Sequence, residues 1–188
     1  RTKIQFDFLC NTHNKVAYEN ELKSLGGQVI HIAMRSKEPI KYRQELKQFM
    51  EQHASEYQAV WVNVCSLGNI DYLKVAKKYG IQKRIIHSHN SQNMDNRIRK
   101  ILHMINRRKI DQYATDFWAC SDDAAKWFYK DALQSKVVII KNAIELENVG
   151  FSKEKREVLR NKYGISDKFV IGNVGRLHFQ KNQMFALE

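Results

Sequence analysis

The sequence predicts an α/β fold, a doubly wound and mainly parallel sheet, on three observations. Apolar runs of strand length alternate with amphipathic runs of helix length almost without a break. Glycines close the helical runs, at Gly26-Gly27, Gly80 and Gly164. Polar clusters stand just after the strand runs, where an open parallel sheet holds its ligands.

Taken in order, residues 4–9 alternate apolar and polar as a half-buried or edge strand does, and a helix follows that ends at Gly26-Gly27. Residues 28–33 form the next strand. A helix over 41–53 aligns Tyr42, Leu46, Phe49 and Met50, and residues 59–64 make a more continuous apolar strand, expected to be central. Ile70, Leu73 and Ala76 mark a helix closed by Gly80, and the strand at 84–87 delivers the polar cluster HSHNSQN. Between Asp95 and Gln112, Ile98, Ile101, Leu102 and Ile105 fall on one helical stripe. Arg97, Arg99, Lys100, Arg107, Arg108 and Lys109 crowd the remaining surface. Such a basic amphipathic helix is either an outer helix packed on a sheet or a membrane-surface helix. A strand at 116–120, a helix with Ser121 as N-cap, and a strand at 137–140 ending in Lys141-Asn142-Ala143 complete the first region.

The pattern lapses over 145–151, so a domain boundary falls near residue 150, giving domains over 1–150 and 151–188. Ser152 caps a charged helix that reaches Tyr163-Gly164. Residues 169–174 then read as a short parallel strand running into Gly175-Arg176, with Gln180-Lys181-Asn182 at a helix start. Gly175 would allow a tight turn whose N–H groups approach an anion, and the helix would aim its positive end there beside Arg176 and Lys181. A phosphate site opening so near residue 188 makes the chain a fragment, with most of its second domain expected beyond it.

Composition narrows the partners. Thirty-two basic residues against twenty acidic ones give a formal charge of +12, which favours nucleic acid, an acidic membrane face or phosphorylated small molecules. No apolar run approaches the ~20 residues of a membrane span, and no signal-peptide pattern opens the chain, so a soluble, cytoplasmic protein is expected. Cys10, Cys65 and Cys120 lie far apart, without zinc or disulfide spacing, and are read as reduced thiols.

Several residues carry candidate chemistry. His87 and His89 are two apart and so share one side of an extended strand. They could ligate zinc, but no Asp, Glu or Cys stands at a suggestive spacing; they could brace a loop; or His89 could present its imidazole to a substrate hydroxyl or to developing charge. Asn142 could donate to a ligand or close an Asx-turn. No G-x-G-x-x-G follows a strand, and no P-loop pattern is present.

HSHNS at 87–91, ATDFWACS at 114–121, VVIIKNAI at 137–144 and GISDKFVIGNVGRLHFQKN at 164–182 together resemble a bacterial family 4 glycosyltransferase, closest to enzymes of capsular or exopolysaccharide synthesis. The resemblance covers essentially the whole chain. It implies the GT-B architecture of two facing Rossmann-like domains. It also implies transfer of a sugar from a nucleotide-diphosphate donor, expected to be a UDP-sugar, with retention and without metal or other cofactor. Lipid-linked or oligosaccharide molecules would be the acceptors. Gly175, Arg176 and Lys181 would belong to the donor diphosphate site, His89 would be the catalytic group facing the reacting sugar in the interdomain cleft, and Asn142 would lie in the substrate cleft. Arg97, Lys100, Arg107 and Arg108 would face an anionic membrane, placing the protein peripherally at the inner membrane face.

The family pattern opens with a strand and a Gly-Gly-x-Glu segment, whereas this chain begins at its second strand and stops before the acidic Glu-x7-Glu segment. The fragment is therefore expected to lack transfer, and to expose apolar sheet edges that lead to an oligomer, a strand swap or a rearranged sheet. The alternative function is a basic nucleic-acid or polyanion-binding module without catalysis. Against it, Trp61, Phe117 and Trp118 lie within strand patterns, and no nucleic-acid motif is present. A nucleotide-sugar epimerase or dehydrogenase is disfavoured by the missing glycine fingerprint and Tyr-x-x-x-Lys pair.

Overall fold

The computed structural model describes residues 4–92, 97–178 and 181–187. Asp95, Gln180 and Glu188 lie outside the described residues, and with them the helix starts read at 95 and 180. The chain separates into two compact units, Arg1–Asn142 and Ala143–Glu188.

The first unit alternates strands and helices. They are β1 (Phe8–Cys10), α1 (Glu19–Ser24), β2 (Val29–His31), α2 (Pro39–His53), β3 (Ala59–Val64), α3 (Asp71–Lys78), β4 (Lys83–Ser88), α4 (Arg97–Lys109), β5 (Asp116–Ala119), α5 (Asp122–Phe128) and β6 (Val137–Ile139). All pairings are parallel, giving the α/β, Rossmann-like arrangement expected. Helix ends follow local chemistry. Ser121 Oγ accepts the Ala124 N–H at 3.2 Å to open α5, and Gly80, at φ +83°, closes α3 in a conformation that a Cβ would disfavour.

The strands form two sheets, β1-β2 and β3-β4-β5-β6. The apolar run of β3 suggested a central strand; it is instead an edge strand of its sheet, and β4 is the more buried one. The continuous hydrophobicity of β3 has a different cause from burial on both sides. Val60, Val62 and Val64 point into the core, while Trp61 on the other face is 40% exposed. Near the amino ends, Tyr57 Oη donates to Asp7 at 2.8 Å, and Phe6 lies 6.0 Å from Trp61, ring centroid to centroid.

Parallel register sorts the four-stranded sheet into two faces. Val62, Ile86, Phe117 and Ala119 share one, which packs on α3, α5 and Ile110 in the main core. Tyr129, fully buried there, sets its hydroxyl between the Ile86 carbonyl at 2.8 Å and the Trp118 carbonyl at 2.7 Å, joining β4 to β5. A second cluster of Ile32, Tyr42, Leu46, Met50 and Ala76 seats α2 against α3.

α4 does not pack on the sheet through its isoleucine stripe. Its inward residues are His103 and Asn106, both buried, while Ile98, Ile101, Met104 and Ile105 are exposed. The cause is the fully buried Leu67, whose backbone lies in a loop after β3 and has no sheet partner there. The Leu67 N–H donates to His103 Nδ1 at 3.0 Å, and Asn106 Nδ2 donates to the Leu67 carbonyl at 2.7 Å. Buried peptide groups require such partners, and that requirement outweighs burial of the isoleucine stripe. Asn106→Ala is expected to cost about 1–3 kcal/mol by orphaning that carbonyl, seen as a lowered denaturation midpoint at unchanged m-value.

The second unit holds α6 (Leu146–Val149) and α7 (Lys153–Lys162), the latter capped by Ser152, whose Oγ accepts the Lys155 N–H at 3.2 Å. Residues 169–174, expected as a strand, have no ladder partner, and Phe169, Ile171 and Val174 are 92%, 76% and 100% exposed. A strand is defined by its neighbour, and among its described residues this unit supplies none. The expected helix after Lys181 is likewise a single 3-10 turn, Met184–Ala186.

Candidate functional site

The carboxyl ends of β3, β4 and β5 bring together His87, His89, Asn63, Trp61 and Trp118. Asn63, His87 and Trp118 are register partners across three strands, so their side chains stand on one face. The ladder continues one step past β4, where the His89 N–H donates to the Val64 carbonyl at 3.1 Å. Two residues apart on that extended backbone, the His87 and His89 rings lie 4.2 Å apart at 40°.

His87 is 3% exposed, stacked on Trp61 at 5.8 Å and 13°, and edge-on to Trp118 at 6.0 Å. Among the described residues neither of its ring nitrogens has a partner in hydrogen-bonding geometry. Burial, and then the neighbouring His89, push its pKa below the ordinary 6.5, with the backbone at Ile140 acting in the opposite direction. The neutral imidazole therefore belongs to the folded state. Above pH ~6.5 neither state carries this proton; as pH falls from there through the folded value, the unfolded chain takes it up first, and stability is lost. His87→Phe keeps an aromatic stack and removes the titration. Denaturant melts at pH 7.5 and 5 are expected to show a smaller acid loss in this variant, and an equal loss would refute the assignment.

His89 is partly exposed, and its Nε2 lies 2.9 Å from Asn63 Oδ1. With the amide oxygen facing it, Nε2 is placed to donate, which leaves Nδ1 as the nitrogen that a ligand could meet. Sequence reasoning singled out the histidine pair but missed Asn63 and Trp61. Their signal was present in the alternation of β3, which puts both on the face opposite Val60 and Val62.

Among the described residues no group of three His, Cys, Asp or Glu is placed to hold a metal ion. A broad depression of about 740 Å³, lined by Lys77, Arg84, Asp111, Thr115 and Lys136, opens at the amino ends of β4 and β5, away from the histidines. Asn142 is exposed, three residues beyond β6.

In the second unit, Lys181 folds over Gly175. A Cβ at Gly175 would stand 3.3 Å from Lys181 Cγ and 3.4 Å from its Cδ and Cε. The chain bends at Gly175, which is not among the glycines of positive φ, and its small size makes room for the lysine stem. The Lys181 N–H donates to the His178 carbonyl at 2.8 Å, and Gln183 Nε2 donates to the Arg176 carbonyl at 2.8 Å, closing the loop on itself. The structure thus joins Gly175, Arg176 and Lys181 in one loop. It does not group Arg107 with the outward cations of α4, because the Arg107 guanidinium donates to the carbonyls of Tyr129 and Lys126 at the end of α5.

Over 197 aligned residues the chain is 26% identical to a curated protein of Bacillus subtilis (strain 168), "Putative glycosyltransferase EpsF". The chain is a distant relative of that protein. The alignment takes in all of this chain, which spans about half the length of the relative, 50% of it. No protein-family model matches the chain, and no solved structure matches it. No helix among the described residues is long and apolar enough to cross a membrane.

Proposed function

We propose that the full-length protein is a glycosyltransferase of cell-surface polysaccharide synthesis. It moves a sugar, with retention, from a UDP-sugar to a lipid-linked or oligosaccharide acceptor at the cytoplasmic face of the membrane. The observation that carries this reading is that the relationship to a protein described as a glycosyltransferase runs through both units of the chain. The parallel sheet supports it, since open sheets of this kind bind ligands at the carboxyl ends of their strands, where His87 and His89 stand.

In this reading the loop of Gly175, Arg176 and Lys181 binds the donor diphosphate. As the bond from the anomeric carbon to the phosphate oxygen breaks, negative charge grows on the departing diphosphate, and the two neighbouring cations offset it without a metal. His89 offers its basic nitrogen, or its proton, to a hydroxyl of a bound sugar, and Asn142 lies at the substrate side of the first unit. The test is incubation of the full-length protein with a panel of labelled UDP-sugars and a membrane lipid extract, following label into lipid. Transfer from one donor names the sugar. No transfer from any, with tight salt-dependent binding to nucleic acid instead, would replace this reading with the polyanion-binding module.

A further inference from the structure

The depression at the amino ends of β4 and β5 carries a surplus of positive charge. Lys77 of α3, Arg84 of β4 and Lys136, at the end of the 3-10 turn before β6, line it against one carboxylate, Asp111. That carboxylate is already paired, 2.6 Å from Lys130 Nζ. The same lining includes the buried apolar side chains of Ala114, Phe117 and Leu133. A concave surface with one sign of charge over low-dielectric walls concentrates counter-ions. Two of the cations are also held in place. Arg84 donates through Nε to the Tyr113 carbonyl at 2.6 Å and through Nη1 to the Ile81 and Gln82 carbonyls, which fixes the guanidinium and leaves Nη2 outside those bonds. Lys77 Nζ donates to the Gln112 carbonyl at 2.7 Å, and an ammonium has further hydrogens to give. These carbonyls are neutral groups, so the surplus charge remains.

We propose that this depression binds a small phosphate ester, its phosphate meeting Lys77, Arg84 and Lys136 and its apolar organic part lying against Phe117 and Leu133. A phosphate monoester carries about 1.5 to 2 negative charges near pH 7, which suits the surplus of cations. The volume, about 740 Å³, is that of a small-molecule site. It is a second site, apart from the histidine pair: five steps of extended chain, roughly 16 Å, run from Arg84 to His89. The site does not depend on sugar transfer, so its test needs no sugar donor.

The experiment is calorimetric titration of the chain with phenyl phosphate, inorganic phosphate and benzyl alcohol at fixed ionic strength. Phenyl phosphate is expected to bind about tenfold more tightly than inorganic phosphate, through burial of its ring, and benzyl alcohol is expected not to bind. Lys77→Gln and Lys136→Gln are each expected to weaken phenyl phosphate roughly tenfold. Both side chains are exposed, and circular dichroism checks that the variants stay folded. Lys181→Ala, in the loop of the second unit, is expected to leave the affinity at the parental value. Loss of binding in Lys181→Ala, with parental affinity in the other two variants, would overturn the proposal in favour of the Gly175 loop. Equal affinity for phenyl phosphate and inorganic phosphate would overturn it too, since diffuse charge would then account for the binding. So would absence of binding at millimolar concentration.

Discussion

In the full-length protein, Lys181→Ala is expected to lower sugar transfer from the preferred UDP-sugar by roughly a hundred- to a thousand-fold, the usual cost of removing one preorganised group that meets developing charge. The expectation rests on where the lysine stem lies. The lysine stem lies along Gly175, where a Cβ would come within 3.3 Å, and its own N–H is tied to the His178 carbonyl at 2.8 Å. Initial rates with a labelled donor, together with donor affinity by calorimetry, check it. Loss of rate together with donor binding supports a diphosphate site. Unchanged transfer, with only a small drop in salt-sensitive binding to polyanions, would mean that Lys181 is one more surface charge among thirty-two basic residues.

Much of the first unit was legible because parallel strands are written as short apolar runs. The strand expected at 59–64 is β3; that expected at 84–87 is one residue short of β4 at each end, and those expected at 116–120 and 137–140 run one residue past β5 and β6. The run at 4–9 was less so: Ile4 and Phe6 are 68% and 49% exposed, and pairing with β2 begins only at Phe8. Alternation marks which face a side chain takes, not whether a neighbouring strand exists to meet it. The same limit explains residues 169–174, apolar and extended but without a ladder.

Misreadings at single positions had nonlocal causes. The isoleucine stripe of α4 left its inward face undecided, because helical periodicity counts apolar residues and cannot see that Leu67, more than thirty positions earlier, needs a donor and an acceptor at its peptide groups. At Gly175, where the chain bends, the missing Cβ makes room for the Lys181 stem, a contact that no local pattern announces. Of the histidine cluster, the pair was visible as H-x-H at a strand end. Its supports, Asn63 and Trp61, come from a neighbouring strand whose register no local pattern reveals.

His89→Ala separates a catalytic histidine from one that only brightens substrate affinity. A group that transfers a proton, or meets charge that appears only in the transition state, is worth roughly a hundred- to ten-thousand-fold in kcat. A group that binds a sugar hydroxyl equally well throughout changes KM and leaves kcat alone. The geometry favours the first outcome. The Asn63 amide oxygen lies 2.9 Å from Nε2 and so leaves Nδ1 to meet substrate, with the buried His87 ring 4.2 Å away. Asn63→Leu, which removes the support and leaves the imidazole, is then expected to reproduce part of the kcat loss with less effect on KM, marking Asn63 as a positioning residue. A His89→Ala enzyme with raised KM and parental kcat would remove His89 from the chemistry and return it to the role of a loop brace beside His87.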